Sequence, residues 1–291
     1  MEEPRFVSVA IPATDGVPLV GREYPPSGPS PLTALLLPGI GVPQRALRHL
    51  AAFLAGEGVR ALSVDYRGMG ESAAAPESAT LRVWAERDAV GALRFAEERF
   101  RKPVVLFGHS FGGQVLGLAD EFSRVRAAVL IASQFGQAKY WDGVGRLKVE
   151  AFWRVILPAA SALFETVPGW TGAGEALPRG VAREWARWGR ARDWYVSEVH
   201  GSAERLARFE RPILACAASD DPIAPPRAVS ALLSRFAAAP ITRRDVVPRD
   251  LGVRAVGHFG LLRPVARELW SEMLAFVRRE AASPAIRLVA S

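Results

Sequence analysis

The chain predicts an α/β fold built on a mostly parallel, doubly wound sheet. Two observations carry that prediction. Short β-branched or apolar runs alternate with longer helical patterns over most of the 291 residues, the rhythm that builds parallel sheets flanked by helices. One such run, 104–107, leads directly into Gly108-His109-Ser110-Phe111-Gly112 and then into a helix-like segment over 113–122. A G-x-S-x-G sequence between strand and helix describes a sharp turn with a serine at its tip. Glycine two residues before and two after that serine relieves the crowding, because it has no Cβ.

The elements follow in order. Runs at 6–11 and 17–24 are separated by Thr14-Asp15-Gly16 and read as a hairpin. A third strand at 33–37 is bounded by prolines, and Leu47, Leu50, Phe53 and Leu54 then mark one face of a helix. A fourth strand at 60–65 closes into Tyr66-Arg67-Gly68-Met69-Gly70, and a long helix spans 80–100. Buried strands are predicted at 104–107 and 125–132. The rhythm breaks near Phe135 and resumes at Pro212, and six of the eight tryptophans lie in that gap. The gap is too long for a simple connection, so it is expected to form a helical subdomain, with helix-like pieces at 151–164 and 181–194. A strand at 213–218, a helix at 226–236, a strand at 241–247 and a last helix at 263–279 complete the pattern, while 283–291 carries no clear signal. The expected organisation is a core over 1–134 and 212–291 interrupted by a tryptophan-rich insertion over 135–211.

Composition bounds the class of protein. The chain is 49% hydrophobic and 23% charged, ordinary for a globular domain. Its net charge of +7 comes from scattered arginines with acids between them, without a basic run or a nucleic-acid motif, so no nucleic-acid partner is expected. The charged start Met1-Glu2-Glu3-Pro4-Arg5 does not read as a secretory signal, and no stretch reaches the length of a membrane span, so a cytoplasmic location is expected. Segment 151–164 is apolar over much of its length and could touch a membrane surface, but Pro158 interrupts it and no basic stripe accompanies it. The single cysteine, Cys216, sits in an apolar run and reads as a small buried residue. No His, Asp and Glu cluster has metal-ligand spacing, and no metal or cofactor is implied.

The chemistry centres on Ser110. A serine hydroxyl is a poor nucleophile at neutral pH and needs a base, which in turn needs a carboxylate to hold its ring. Of the four histidines, His49 reads as helix surface, His200 has no chemical context, and His109 points the wrong way from Ser110. His258 lies in a glycine-flanked loop after the last strand, where a catalytic histidine is expected. Asp220 and Asp221 lie just beyond the strand at 213–218, at the sheet edge where such groups collect. Asp221 opens the tight turn Asp-Pro-Ile-Ala-Pro and is the preferred acid; Asp220 is then its solvated neighbour or a cap. The order Ser110, Asp221, His258 is that of a serine hydrolase on an α/β sheet. Oxyanion donors are expected from the backbone N–H groups of Phe111 and of Ile40 in the loop Leu37-Pro38-Gly39-Ile40-Gly41-Val42. Gly39, His109, Trp141 and Phe259 are candidates for the substrate pocket.

With these residues placed, the chain resembles the α/β-hydrolase superfamily from end to end. The likeness rests on the elbow Gly-His-Ser-Phe-Gly-Gly, the turn Asp65-Tyr66-Arg67-Gly68-Met69-Gly70-Glu71-Ser72, Asp221 with its proline-rich turn, and Gly257-His258. Within it the chain looks most like bacterial predicted hydrolases grouped with serine aminopeptidase-like domains, through Pro226-Arg227-Ala228-Val229, Gly257-His258-Phe259-Gly260 and the arginine- and tryptophan-bearing segment 181–188. The resemblance implies an eight-stranded sheet with one antiparallel strand and a cap inserted after strand six. Pro38-Gly39 stands where many members have His-Gly, and Ala218 where many have glycine. The expected activity is cleavage of a carboxylic ester with an apolar acyl group by a monomer or homodimer. Acyl transfer on the same residues, or a non-catalytic binding protein on this fold, are the rival expectations.

Overall fold

The computed structural model describes residues 5–74 and 76–282, so the expectation for 283–291 lies outside the described residues. Eight strands form one sheet: β1 (Val7–Pro12), β2 (Pro18–Tyr24), β3 (Thr33–Leu37), β4 (Arg60–Val64), β5 (Val104–His109), β6 (Ala128–Ile131), β7 (Ile213–Ala218) and β8 (Ile241–Val246). Their spatial order is β1-β2-β4-β3-β5-β6-β7-β8. Only β2 runs against its neighbours. The β1–β2 turn closes by Gly16 N–H donating to the Ala13 carbonyl at 2.9 Å, with Gly16 at φ 85°. The predicted fold class is therefore the observed one.

Side-chain alternation divides the core. Leu35 and Leu37 of β3 pack on one face with Trp84, Val90 and Phe111, whereas Ala34 and Leu36 pack on the other with Leu50, Phe53 and Trp270. A period of two along a strand buried on both faces makes this sorting automatic. Cys216 belongs to the second layer, and burial pushes its thiol pKa up, as the reading of a small inert residue requires.

Three helical expectations change in detail. The helix at 81–100 is continuous but contains a wider π turn over Trp84–Ala89, which brings Asp88 inward to Arg67. The single helix expected over 113–122 is broken into Phe111–Gln114 and two 3-10 turns, Val115–Gly117 and Asp120–Arg124. Three glycines weaken this stretch as a helix, and Gly117 is needed where it is, since a Cβ there would stand 2.7 Å from the Tyr195 hydroxyl. The segment 181–194 divides into a helix, Arg179–Arg190, and an extended run, Arg192–Tyr195.

Between β6 and β7 the chain leaves the sheet for the predicted insertion. Trp153, Trp188 and Trp194 are buried in it and contact one another edge-on or aslant with Trp185 and Tyr195. Most of the tryptophans thus serve as the insertion's own core. One of them also ties it to the core: Trp194 Nε1 donates to Gln114 Oε1 at 2.9 Å, while Trp153 Nε1 donates within the insertion to the Gly136 carbonyl at 2.8 Å.

Candidate active site

The parallel register brings the site residues to one edge. Leu37 pairs with Gly108 and His109 with Ile131, so the loops leaving β3, β5 and β6 emerge side by side at the strands' carboxyl ends. Cys216 pairs with Ile131 and Ala218 with Val246, which adds the loops after β7 and β8 to the same edge.

Ser110 occupies the tip of a sharp turn, with φ 53° and ψ −114°. A non-glycine residue there is strained, and its neighbours hold it. The Ser110 N–H donates to the Ile131 carbonyl at 2.8 Å and the Gly113 N–H to the Ser110 carbonyl at 3.1 Å. The flanking glycines are obligatory. A Cβ on Gly108 would stand 2.4 Å from Gly112 O and Gly113 N, and one on Gly112 would stand 2.0 Å from the Leu37 carbonyl oxygen. Gly39 abuts the serine: its Cβ would lie 3.0 Å from Ser110 Cβ and 3.4 Å from Oγ. Ile40, the next residue, is half-buried, and Phe111 is fully buried at the start of its helix.

His258 and Asp221 meet as expected. His258 Nδ1 lies 2.7 Å from Asp221 Oδ2, and both side chains are buried. The other carboxylate oxygen accepts the backbone N–H groups of Ile223 at 2.8 Å and Ala224 at 2.9 Å. The proline-bounded turn thus fixes the carboxylate, and the carboxylate holds the ring through Nδ1. The Ser110 hydroxyl makes no hydrogen bond among the described residues.

Asp220 does more than a solvated neighbour. Its carboxylate is exposed, yet it accepts the backbone N–H of Val256 at 2.9 Å and of Gly257 at 3.1 Å. It ties down the loop that carries His258. The consecutive Asp220-Asp221 pair was the available signal for this, with one carboxylate for the ring and one for its backbone.

His109, expected at the substrate pocket, is wholly buried. Its Nε2 lies 3.1 Å from the His258 carbonyl oxygen. A carbonyl only accepts, so Nε2 carries the proton and Nδ1 is left bare, without a partner among the described residues. Burial first, and the nearby His258 second, push the His109 pKa down to about 3. Phe259 is 39% exposed, with its ring 5.3 Å from that of His258. Trp141 is half-buried and donates from Nε1 to the Pro222 carbonyl at 2.8 Å, beside the turn of Asp221.

The loop over 38–42 is held from two sides. From within, the Tyr66 hydroxyl donates to the Pro38 carbonyl at 3.2 Å, and Tyr66 stacks on Trp84 and meets Phe111 edge-on. From the insertion, the Glu175 N–H donates to the Gly41 carbonyl at 2.8 Å, and Arg45 pairs with the Glu175 carboxylate. Gly41 at φ 68° and Gly174 at φ 92° approach too closely for side chains. Beside this junction lies a cleft of about 350 Å³ whose walls include Gly41, Arg45, Gly174, Glu175 and Phe259. Tyr66 and Glu175 escaped sequence reasoning because each acts across a long chain separation.

A family model described as the alpha/beta hydrolase family matches residues 34–267, more than half of the chain. The chain belongs to the alpha/beta hydrolase family. No curated protein matches it. Among solved structures, DcsB in complex with its substrate analogue is 21% identical, with a TM-score of 0.66 over 96% of this chain and 100% of that one. Est1E from Butyrivibrio proteoclasticus with bound ferulic acid is 17% identical, with a TM-score of 0.64 over 94% and 100%. The esterase domain of a Rhodothermus marinus protein is 17% identical, with a TM-score of 0.62 over 94% and 98%. At these identities the likeness is one of fold. Among the described residues, no helix is long and apolar enough to cross a membrane.

Proposed function

We propose that this alpha/beta hydrolase cleaves a small-molecule carboxylic ester through an acyl-enzyme on Ser110. The observation that carries the reading is the pairing of His258 with Asp221 at 2.7 Å, at the same sheet edge as a serine held at φ 53°. Ser110 Oγ attacks the ester carbonyl, and its proton passes to His258 Nε2. The tetrahedral oxyanion is met by the N–H groups of Phe111 and Ile40. It collapses as the carbon–oxygen bond to the alcohol breaks, and His258 returns the proton to that leaving oxygen. Water, deprotonated by the same histidine, then attacks the acyl-enzyme; the bond to Ser110 Oγ breaks, the acid leaves, and His258 returns the proton to Oγ. Asp221 keeps the Nδ1–H tautomer throughout and stabilises the imidazolium.

The insertion over 135–211 serves as a cap in this reading, and its Glu175–Gly41 junction sets the donor loop. The exposed Phe259 ring beside His258 supports an apolar group on the substrate. The names of the structural neighbours, which include esterases and a ferulic acid complex, are consistent with ester chemistry. The expected outcome is that Ser110→Ala lowers kcat for a short p-nitrophenyl ester by at least about a thousandfold. A fluorophosphonate probe is expected to label the wild type and not the variant. Undiminished hydrolysis by Ser110→Ala overturns the reading.

A further inference from the structure

More than half of the large hydrophobic side chains exposed among the described residues lie between 144 and 170. Val144, Leu147, Val155, Leu163 and Trp170 are each 61% to 79% exposed. Single exposed hydrophobes are ordinary, but a concentration of them on one element marks an interaction surface.

The element is one continuous helix over 143–163, roughly 30 Å long at 1.5 Å per residue, made of Gly143–Ala151, a π turn over Phe152–Ile156, and Leu157–Leu163. Pro158 does not interrupt it, because the π turn absorbs the ring. The Trp153 carbonyl, whose partner five residues on would be Pro158, accepts from Arg190 Nη1 at 2.7 Å instead. Spacings of three and four put Val144, Leu147 and Ala151 on one face, and the first segment, Gly143–Ala151, buries no residue. Trp170 and Phe164, in edge-on contact at 6.3 Å, extend the apolar strip past the helix end.

The surrounding charge selects the occupant. The nearby acids are already matched: Glu150 by Arg154, Glu165 by Arg179, and Asp142 by Arg227. The exposed cations Arg146, Lys148 and Arg183 have no carboxylate partner among the described residues. A second copy of the chain would bring the same cations against them. We propose that this helix face docks on an anionic lipid bilayer, lying in the plane of the surface with its aliphatic and aromatic side chains inserted and its cations at the headgroups. The inference stands apart from the chemistry of Ser110.

The test is cosedimentation of the full chain with vesicles of phosphatidylcholine alone and of phosphatidylcholine mixed with phosphatidylglycerol. The wild type is expected to partition onto the mixed vesicles, less onto the neutral ones, and less as salt is raised. The double variant Leu147→Glu, Leu163→Glu is expected to bind at least about tenfold more weakly. Both substitutions are at exposed positions, so the variant should keep its melting temperature and its turnover of a soluble short ester without vesicles. Arg146→Glu with Lys148→Glu is expected to abolish the preference for phosphatidylglycerol. The proposal is overturned if the wild type partitions onto neither vesicle, or if the double leucine variant binds as the wild type does. Sedimentation showing a concentration-dependent dimer that the leucine variant dissociates, without vesicle binding, assigns the face to a second copy and equally overturns it. An inert Ser110 would leave the vesicle result unchanged.

Discussion

Ser110, Asp221 and His258 each depend on a neighbour that does no chemistry in the proposed reaction. Asp220 is the clearest case, since its two hydrogen bonds hold the backbone on which His258 rides. Asp220→Ala is expected to lower kcat for ester hydrolysis by about tenfold to a hundredfold with little change in KM, because misplacement of a base costs the chemical step. Steady-state kinetics beside a far-ultraviolet spectrum would check this. His109 supports the same loop through the His258 carbonyl, and it has a consequence for acid stability. Its pKa is about 3 in the folded chain against 6.5 when unperturbed, so the unfolded chain binds the proton between those values and the folded chain does not. Its contribution to stability is complete above pH 6.5 and is lost as the pH falls from there towards 3. Denaturant unfolding near pH 7 and near pH 5 should show the wild type losing on the order of 2 kcal/mol more than His109→Gln over that interval.

At the scale of elements, loops with little freedom position the site. The junction of Gly41 with Gly174 and Glu175 joins the loop proposed to donate to the oxyanion to the insertion, and no other residue type fits either glycine: a Cβ on Gly174 would lie 2.5 Å from the Gly41 carbonyl oxygen. Gly174→Ala is expected to displace that loop and lower kcat by about tenfold or more, whereas Glu175→Gln, which keeps the backbone hydrogen bond and loses only the charge on Arg45, should cost much less. Equal losses in the two variants would sink the view that backbone contact sets the loop. The central strands of this sheet were legible in the sequence because burial on both faces leaves uninterrupted apolar runs, as in β5 and β7. The π turns at Trp84–Ala89 and Phe152–Ile156 were not, since each answers a partner distant in the chain: Arg67 for the first and Arg190 for the second. Nor was the break after Gln114 legible, because it depends on how closely Tyr195 approaches Gly117.

Across the whole molecule, the first half of the sheet is bolted together by a buried ionic cluster. Arg67 is 1% exposed and Asp88 fully buried; their side chains meet at 2.7 Å, and Arg67 also reaches Asp15 of the β1–β2 turn at 2.8 Å. Removing Asp88 takes from the buried guanidinium its one fully buried carboxylate and leaves it only the partly exposed Asp15. Asp88→Ala is therefore expected to cost about 3–5 kcal/mol in urea unfolding, while Arg67→Met with Asp88→Leu should recover a good part of that loss. A double variant no more stable than Asp88→Ala would show that the cluster does more than match charges. The motif Asp65 to Ser72, on which the family resemblance partly rested, serves this scaffold: Arg67 carries the cluster and Tyr66 holds Pro38.

Local chemistry that repeats along the chain was readable from the residues alone: strand and helix periods, the glycines a sharp serine turn demands, and a histidine and an aspartate placed after strands in the family's order. These follow from steric rules acting over a few residues, and they determined the fold class and named Ser110, Asp221 and His258. The tertiary structure decided what depends on distance between remote segments. It divided labour between Asp220 and Asp221, buried His109 beneath Gly39, tied Glu175 to Gly41, and left the helix over 143–163 with an apolar face outward. An apolar run reads the same in sequence whether it is buried or exposed, because hydrophobicity is a property of the residue and burial a property of what packs against it.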